Sequence, residues 1–370
     1  MTGLKWVPFD VLEDFMVKVL LKQGVPEPDA KIVSQVLIAA DKQGIDSHGI
    51  GRFKPIYVDR IKQGILNPVT KLDIIKDHMA TAVIDANNGF GHVAGVYAMN
   101  MAIEKAKQYG ISIISVKNSS HYGIAGYYVQ MAADKGLIGI TGTNARPSIA
   151  PTFGVENMMG TNPLTIGIPT DEEFDFILDC ATSTTQRGKI EKYARDGKEL
   201  PKGWVIDNDG KSETDPKLVL DQLIKGHAAL TPLGGVGEET GGYKGYGYAA
   251  VVEILSSALH LGPFMQALTG LDNNNEPTPY RLGHFFIAID VEHFIELDHF
   301  KKHTGDILRA LRASKKSPEH QRIYTAGEKE YLEKLERENK GAPIGSVIEK
   351  QINELLMEFN VTLKGEQDEI

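Results

Sequence analysis

The sequence predicts a mixed α/β protein in which helical regions from both ends of the chain enclose a central body of short strands and helices. Three observations predict it. The first sixty residues carry apolar side chains at helical spacing, and from about residue 72 short β-rich runs alternate with helical stretches. Beyond residue 291 the chain becomes charged and helical again.

In the first helix Leu12, Phe15, Met16, Val19 and Leu20 share one face, Asp10 and Glu13 stand as a capping pair, and Gly24 is the stop. Val33, Val36, Leu37 and Ala40 form a second apolar face ended by Gly44. Ile45-Asp46-Ser47-His48-Gly49 follows, and then a third helix reaching Lys62, interrupted near its start by Pro55. The β-rich runs are Thr81–Asp85, Ile111–Val116, Leu137–Thr143, Phe176–Asp179 and Phe285–Asp290, with helices such as Val93–Gln108 and Ala249–Leu261 between them. Gly226–Gly247 is rich in glycine and reads as a long functional loop. Glu328–Asn339 and Ser346–Phe359 are amphipathic, and the tail from Lys364 is expected to fray.

Composition narrows the function. With 370 residues, 42% hydrophobic and 24% charged, the chain suits a globular protein of two domains, or one domain with a large elaboration. A net charge of -9 leaves no basic excess to neutralise phosphates, which argues against nucleic acid as a partner. Cys180 is the only cysteine, so an intrachain disulfide and a multi-thiolate metal site are excluded, and a reducing cytosol fits. The opening residues MTGLKWVPFDVLEDF hold no uninterrupted apolar h-region, and no stretch approaches the ~18 apolar residues of a membrane span. The expected setting is cytoplasmic, with no membrane partner.

One motif is set aside. Ala80–Asp85 followed by Gly89-Phe90-Gly91-His92-Val93-Ala94 matches the strand, GxGxxA and helix of a dinucleotide-binding turn. The next strand should then end in an acidic residue for the ribose, but it ends in Lys117-Asn118, and the later strands do not keep a βα rhythm. These glycines are expected to serve a turn and close helix–strand packing.

Three polar clusters carry candidate chemistry. In the first, His48 precedes Arg52 by four residues; an imidazole suits proton transfer near neutrality and a guanidinium clamps a carboxylate. Asp46 or Ser47 could instead merely cap the following helix. The second is Ser119-Ser120-His121-Tyr122-Gly123-Ile124, where small residues and hydroxyls opening a helix suit an anion, or only a turn. The third joins Asp179-Cys180-Ala181-Thr182-Ser183 and Arg187-Gly188-Lys189 to Gly241-Gly242-Tyr243-Lys244-Gly245, basic residues among glycines and hydroxyls as a pyrophosphate requires. Cys180 reads as an inert thiol in preference to a nucleophile. His293, His299 and His303 lie near Glu292, Glu296 and Asp298 without an HExxH spacing, so a solvated face is expected there and no metal site.

The order of DSHG (46–49), SSHYG (119–123), GTNP (160–163), DCATS (179–183), RGK (187–189), PLGG (232–235), YKGYG (243–247), GHFFIAID (283–290) and TAGEKE (325–330) closely resembles the type-2 malate/L-lactate dehydrogenase family. The resemblance runs from near residue 9 to about residue 358, and the run Asn144–Pro147 through Gly160–Pro163 resembles the family's malate-acting members most. It implies a non-Rossmann cofactor domain with a mostly antiparallel sheet, joined to helical regions from both termini, and a homodimer. Residues 76–294 would then bind NAD, or NADP, and residues 1–75 with 295–370 would form the helical substrate and dimerisation region.

The same resemblance implies that His48 is the general acid/base, with Ser47 in its relay and Arg52 as a carboxylate ligand. In some members the histidine matching His121 is the base, so that assignment stays open. Cofactor contacts would fall on Gly123, Ile124, Asp179, Cys180, Ala181, Tyr243, Lys244, Gly327, Glu328 and Lys329. Lys189, counted here with the substrate residues, stands where imino-acid-reducing members carry an aspartate, which weighs against that activity. The expected reaction is hydride transfer between NAD(P) and a small 2-hydroxy acid, with malate favoured over lactate, sulfolactate or ureidoglycolate. Thr161 or His121 orients the reacting oxygen, and Arg146, lying between two site segments, is expected on the second carboxylate. A metal-dependent hydrolase using the histidines, and a binding protein without turnover, are the contrasting readings.

Overall fold

The computed structural model describes residues 5–364. In order these are β1 (Lys5–Val7), α1 (Phe9–Lys22), α2 (Glu27–Lys42), a 3₁₀ turn (Ile50–Arg52), a π-helical turn (Phe53–Val58), α3 (Asp59–Lys62), β2 (Asp73–His78), β3 (Thr81–Asp85), α4 (Gly91–Tyr109) and β4 (Ile111–Ser119). Next come α5 (Gly126–Ala133), β5 (Leu137–Thr143), β6 (Leu164–Ile168), β7 (Phe176–Cys180), α6 (Arg187–Asp196), β8 (Val205–Asp207), α7 (Pro216–Lys225), β9 (Ala228–Leu230) and α8 (Gly242–Leu255). The chain closes with β10 (Leu282–Asp290), α9 (Leu297–Ala313), α10 (Glu328–Arg337), β11 (Ala342–Ile344) and α11 (Ser346–Phe359). The tail expected to fray lies, past Lys364 itself, outside the described residues.

The central sheet has seven strands in the order β2-β3-β4-β10-β5-β6-β7, antiparallel throughout except for the parallel pair β3 and β4. The architecture is therefore mixed α/β around a largely antiparallel sheet, and the five β-rich runs of the sequence are all strands of it. Alternation explains the packing: Ile114, Val116, Phe286 and Ala288 are fully buried against α4 and α5 residues such as Ala98, Ala102 and Val129. A second core joins the two ends of the chain. Leu12, Phe15, Met16 and Leu37 from α1 and α2 meet Ile352 and Leu355 of α11, while β1 pairs β11 with Lys5 opposite Ile344. A third, small core forms where β8 and β9 meet α6 and α7 around Ile190, Val205 and Val219.

Several local expectations change. Asp10 and Glu13 do not cap α1; the helix begins at Phe9 after Pro8, placing Asp10 inside the first turn, where it pairs with Lys364 instead. Pro55 does not break its helix outright, because the wider π turn accommodates a residue that cannot donate an N–H. Gly226–Gly247 is not one loop: it contains β9, and α8 starts at Gly242, seven residues before the expected helix, ending at Leu255 with a separate 3₁₀ turn at Ala258–His260. Glycines at both ends of that segment concealed the helix, since Gly242 and Gly245 are needed for close approach to the backbone of Gly235 and Leu233.

The parallel β3–α4–β4 unit has the outline of the dinucleotide turn, yet its glycines are used for packing. A Cβ on Gly89 would fall 2.7 Å from Thr70, and one on Gly91 would fall 2.2 Å from the Ser120 carbonyl oxygen. The first amides of α4 are already occupied, Phe90 N–H by Thr70 Oγ1 and Gly91 N–H by Ser120 Oγ, each at 3.0 Å. Gly91→Ala should cost about 1–3 kcal/mol, the usual range for overpacking, and lower Tm, because it pushes on the backbone of Ser120 and His121. Gly247→Ala, on α8 with open space at its Cβ, should be neutral or slightly stabilising in the same thermal unfolding experiment.

Candidate active site

The DSHG turn is held from two sides. Beneath it, Asp41 near the end of α2 is buried and accepts the Ile50 N–H at 2.8 Å. Its carboxylate fills the space where a side chain at position 49 would go, 1.8 Å from an ideal Cβ, so only glycine fits there. From α10, the buried Arg337 donates to the Asp41 carbonyl at 2.9 Å and to the Asp46 carboxylate at 2.5 Å. Asp46 and Ser47 are not helix caps. Gly49 precedes the 3₁₀ turn without a side-chain bond, Asp46 is spent on Arg337, and Ser47 Oγ lies 2.9 Å from His48 Nδ1.

The turn sets His48 beside His121, which follows β4. Their rings stack with centroids 5.6 Å apart and planes 20° from parallel. Tyr57, fully buried on the π turn, places its hydroxyl 2.6 Å from His121 Nδ1, and the Gly123 N–H reaches the same nitrogen at 3.3 Å. Burial holds His48 down to about 4, with Arg52 adding to the effect. Burial also holds His121 well below the ordinary histidine range, reinforced by His48, His92, Arg60 and Arg52. Both imidazoles are neutral at neutral pH.

Cations surround them. The Arg52 Nε donates to the Ser47 carbonyl. Arg60 lies over the Tyr280 ring at 4.3 Å, and burial lowers its pKa, with the exposed Arg146 among the charges acting the same way. None of Arg52, Arg60 and Arg146 forms an ion pair among the described residues, nor do Arg195 and Arg281, whereas Arg187, Arg309, Arg312, Arg322 and Arg337 do. Unpaired guanidinium groups beside two neutral imidazoles form a site for an anion that exchanges a proton. Arg60, Tyr57 and Asp41 went unnoticed in the sequence; only the π turn, which the sequence does not announce, rotates Tyr57 and Arg60 to the His121 side.

The other expected residues divide. The start of α6 abuts the DSHG turn, with an ideal Cβ on Gly188 3.7 Å from Ser47 Cβ. Lys189 there rests over the Trp204 ring at 4.7 Å, and Arg187 is paired with Glu191. The Thr161 carbonyl accepts the Thr182 N–H at 2.9 Å, and the neighbouring Asn162 donates to the buried Glu253 at 2.7 Å. The helix end expected to receive an anion at the SSHYG segment starts later, at Gly126, and its first N–H is taken by Asp179 at 2.7 Å. Burial pushes the Asp179 carboxyl up, against that amide and Thr165. Burial and Asp179 likewise push the Cys180 thiol up, consistent with an inert thiol.

A cleft of about 500 Å³ opens between the end of α2, α5, β7 and α10, lined among others by Ile45, Gly126, Asp179, Gly327, Glu330 and Tyr331. Its lining mixes carboxylates, glutamines and Lys334 with apolar residues such as Ile45, Phe174 and Leu178, and the volume suits a nucleoside-sized ligand. Gly327 has φ +87°, and a Cβ there would meet the Asp175 carbonyl at 2.8 Å. Glu328 turns away from the cleft, bonding the Thr325 N–H at 3.0 Å and pairing with Arg322 and Arg312. Lys329 lies over Tyr324, and Tyr243 and Lys244 stand exposed on α8. Gly123 and Ile124 are buried behind His121, and Ala181 is half-buried after β7. Among the described residues no group of three His, Cys, Asp or Glu could hold a metal ion; His299 only approaches Glu296 at 3.5 Å.

Fold and site together set two neutral imidazoles and arginines without ion pairs near a nucleoside-sized cleft, the equipment of an enzyme for a small anionic substrate. The family profile described as malate/L-lactate dehydrogenase matches residues 7–353, and the chain belongs to that family, whose members are oxidoreductases acting on a CH–OH group with a nicotinamide cofactor. It is 43% identical to malate dehydrogenase of Pyrococcus horikoshii over 96% of each chain. It is 38% identical to L-sulfolactate dehydrogenase of Methanocaldococcus jannaschii over 94% of this chain and 96% of that one. The crystal structure of malate dehydrogenase from Entamoeba histolytica superposes with a TM-score of 0.94 at 49% identity, covering 98% of this chain and 99% of that one.

The buried carboxyl under the turn has a measurable consequence. Burial, with Asp46 adding, raises Asp41 to about 7, against the opposing Ile50 N–H and Arg337. The folded state then holds a proton that the unfolded state releases between about pH 4 and 7, so this group's stabilisation is present at low pH and lost as pH rises through 7. Asp41→Asn keeps the bond to Ile50 and removes the titration. Relative to wild type it should gain on the order of a few kcal/mol between pH 5 and 8, read as a difference in Tm across that range. A constant difference would show that Asp41 does not titrate there.

Proposed function

We propose that this protein oxidises malate to oxaloacetate, reversibly, with NAD as the favoured cofactor. The observation that carries the reading is the pair of neutral imidazoles, His48 and His121, facing arginines that have no carboxylate of their own. A dicarboxylate supplies what those arginines lack. In the oxidative direction His48 takes the C2 hydroxyl proton, with Ser47 Oγ holding the far side of its ring. Arg52 clamps the C1 carboxylate, and His121 or Thr161 orients the reacting oxygen. Arg146, in reach of Arg60, is proposed for the second carboxylate, and Lys189 for the rim of the site beside Ser47. A bound nicotinamide would supply the acceptor for the C2 hydride.

Gly123, Ile124, Asp179, Cys180, Ala181, Tyr243, Lys244, Gly327, Glu328 and Lys329 are proposed to hold the cofactor, chiefly through backbone where side chains are turned away or engaged elsewhere. The cleft lining includes Asp134, Glu173, Asp175, Asp179 and Glu330 against the single cation Lys334. Carboxylates accept ribose hydroxyls and repel a 2′-phosphate, which supports NAD over NADP. Residues 76–294 are proposed as the cofactor-binding domain and residues 1–75 with 295–370 as the substrate and dimerisation region.

A cytoplasmic homodimer is proposed as well. The lone half-buried Cys180 fits a reducing compartment, and no helix among the described residues is long and apolar enough to cross a membrane. On and beyond α8 a row of apolar side chains is exposed, Leu261 at 95% and Phe264 at 58%, beside Tyr248, Val251 and Ile254. Such a face suits burial against a second copy.

The test is a dehydrogenase assay with malate and NAD or NADP, followed by nicotinamide absorbance. Activity should favour NAD, and His48→Ala should lower kcat ~10²–10⁴-fold, as loss of a general acid/base does, with cofactor binding intact. Near-normal turnover in that variant would move the proton role elsewhere. Arg146→Ala should lower kcat/KM for malate about 10- to 100-fold more than for lactate, matching ~1.5–3 kcal/mol for a charged hydrogen bond. Equal loss for both acids would remove Arg146 from the second carboxylate.

A further inference from the structure

His121 is anchored through one nitrogen. Its Nδ1 lies 2.6 Å from the Tyr57 hydroxyl and 3.3 Å from the Gly123 N–H, while its Nε2 has no partner among the described residues. A backbone amide can only donate, so Gly123 favours a lone pair on the Nδ1 it faces, though weakly at 3.3 Å. The Tyr57 hydroxyl leads to the same conclusion independently. Tyr57 is fully buried, and among the described residues its oxygen has no partner except His121, so a proton on Nδ1 would leave the phenol hydrogen buried without an acceptor.

We propose that Tyr57 is a positioning residue that donates its hydroxyl hydrogen to His121 Nδ1 and locks His121 as the neutral Nε2–H tautomer, a hydrogen-bond donor to the substrate oxygen and not a base. This rests on the dehydrogenase reading of the site and deepens it, because it separates the tasks of the two histidines. His48 differs in the feature that matters. Its Nδ1 meets the Ser47 hydroxyl at 2.9 Å, a group that can donate or accept by rotation, so His48 can gain and lose a proton without stranding a buried donor. His121 cannot, because both of its Nδ1 neighbours are held as donors. The charged and titratable groups around it act in the same sense: His48, His92, Arg60 and Arg52 all oppose a positive charge on its ring, and burial keeps Tyr57 protonated. His92 sits edge-on to Tyr57 with centroids 4.8 Å apart and closes the back of the pocket.

The experiment is a two-bond proton–nitrogen correlation spectrum of full-length protein labelled at histidine, with His121 identified by its loss in His121→Asn. Wild type should show an unprotonated Nδ1 and a protonated Nε2 from pH 5 to 8. Tyr57→Phe, which removes one oxygen, should populate the Nδ1–H form and lower kcat about tenfold, with KM for malate changed less than about threefold. A protonated Nδ1 in wild type, or a Tyr57→Phe spectrum and kcat matching wild type, would overturn the proposal. The wild-type readout depends on His121→Asn for assignment only and does not require Tyr57→Phe to fold. If the protein turned over no hydroxy acid but kept this tautomer, the function would fall and the hold of Tyr57 on His121 would stand.

Discussion

One buried guanidinium carries the connection on which the site depends. Arg337 of α10 reaches across 291 residues of sequence to Asp46 and, with a second bond, to the Asp41 carbonyl at the end of α2. The turn bearing Ser47 and His48 is short, glycine-bounded and outside any regular helix, so nothing local would hold it. Its rigidity comes from packing on the Asp41 carboxylate below and from Arg337 beside it. Breaking such a pair is costly because it strands a buried charge. The pairing of β1 with β11 and the packing of α11 on α1 bring the C-terminal region to where this contact can form. Closure of the chain ends is thus a condition for the site.

Electrostatics give the site its character. Two stacked imidazoles, both buried, with Arg52 acting on each and Arg60 on His121, are poor proton acceptors. On the proposed reading a bound dicarboxylate would offset the Arg52 charge at His48, while the effect of burial would remain. His48, if it is the base as proposed, would then be strongest with substrate on the arginines, which would couple proton transfer to correct binding. The same field bears on His121 differently, because Tyr57 and Gly123 already fix its proton on the other side of the ring.

Much of the fold was legible, for identifiable reasons. Strands such as Leu137–Thr143 and Phe285–Asp290 announce themselves by β-branched and aromatic residues, and Ser346–Phe359 by a clean helical period. Strand β2, Asp-Ile-Ile-Lys-Asp-His, was missed because it is an edge strand with mostly exposed, charged residues. Helix α8 was missed at its start because glycine is read as a breaker, although Gly242 and Gly245 are there for close backbone approach. At the site, His48 and Arg52 were legible by spacing. Tyr57 and Arg60 were not, since a π turn shifts the phase of every residue after Phe53 and no pattern in Phe53–Val58 declares it. Asp41 read as one more polar residue at a helix end; only the glycine above it shows that its carboxylate is enclosed.

The two glycine-flanked helix starts illustrate how a motif can be present in outline and absent in chemistry. A dinucleotide turn works because the first amides of its helix are left open for phosphate. At α4 those amides are taken by the Thr70 and Ser120 hydroxyls, and at α5 the first is taken by Asp179. Each occupant is itself fixed: Ser120 donates onward to the Gly89 carbonyl, and Asp179 also accepts from Thr165 across the β6–β7 pair. A phosphate at either helix end would have to displace a bonded partner, and at α5 a like charge. The helix starts therefore serve the site indirectly. α4 holds the backbone of Ser120 and His121 in register with the Asp41-backed turn, and the carboxylate at α5 presents its polar edge to the neighbouring cleft.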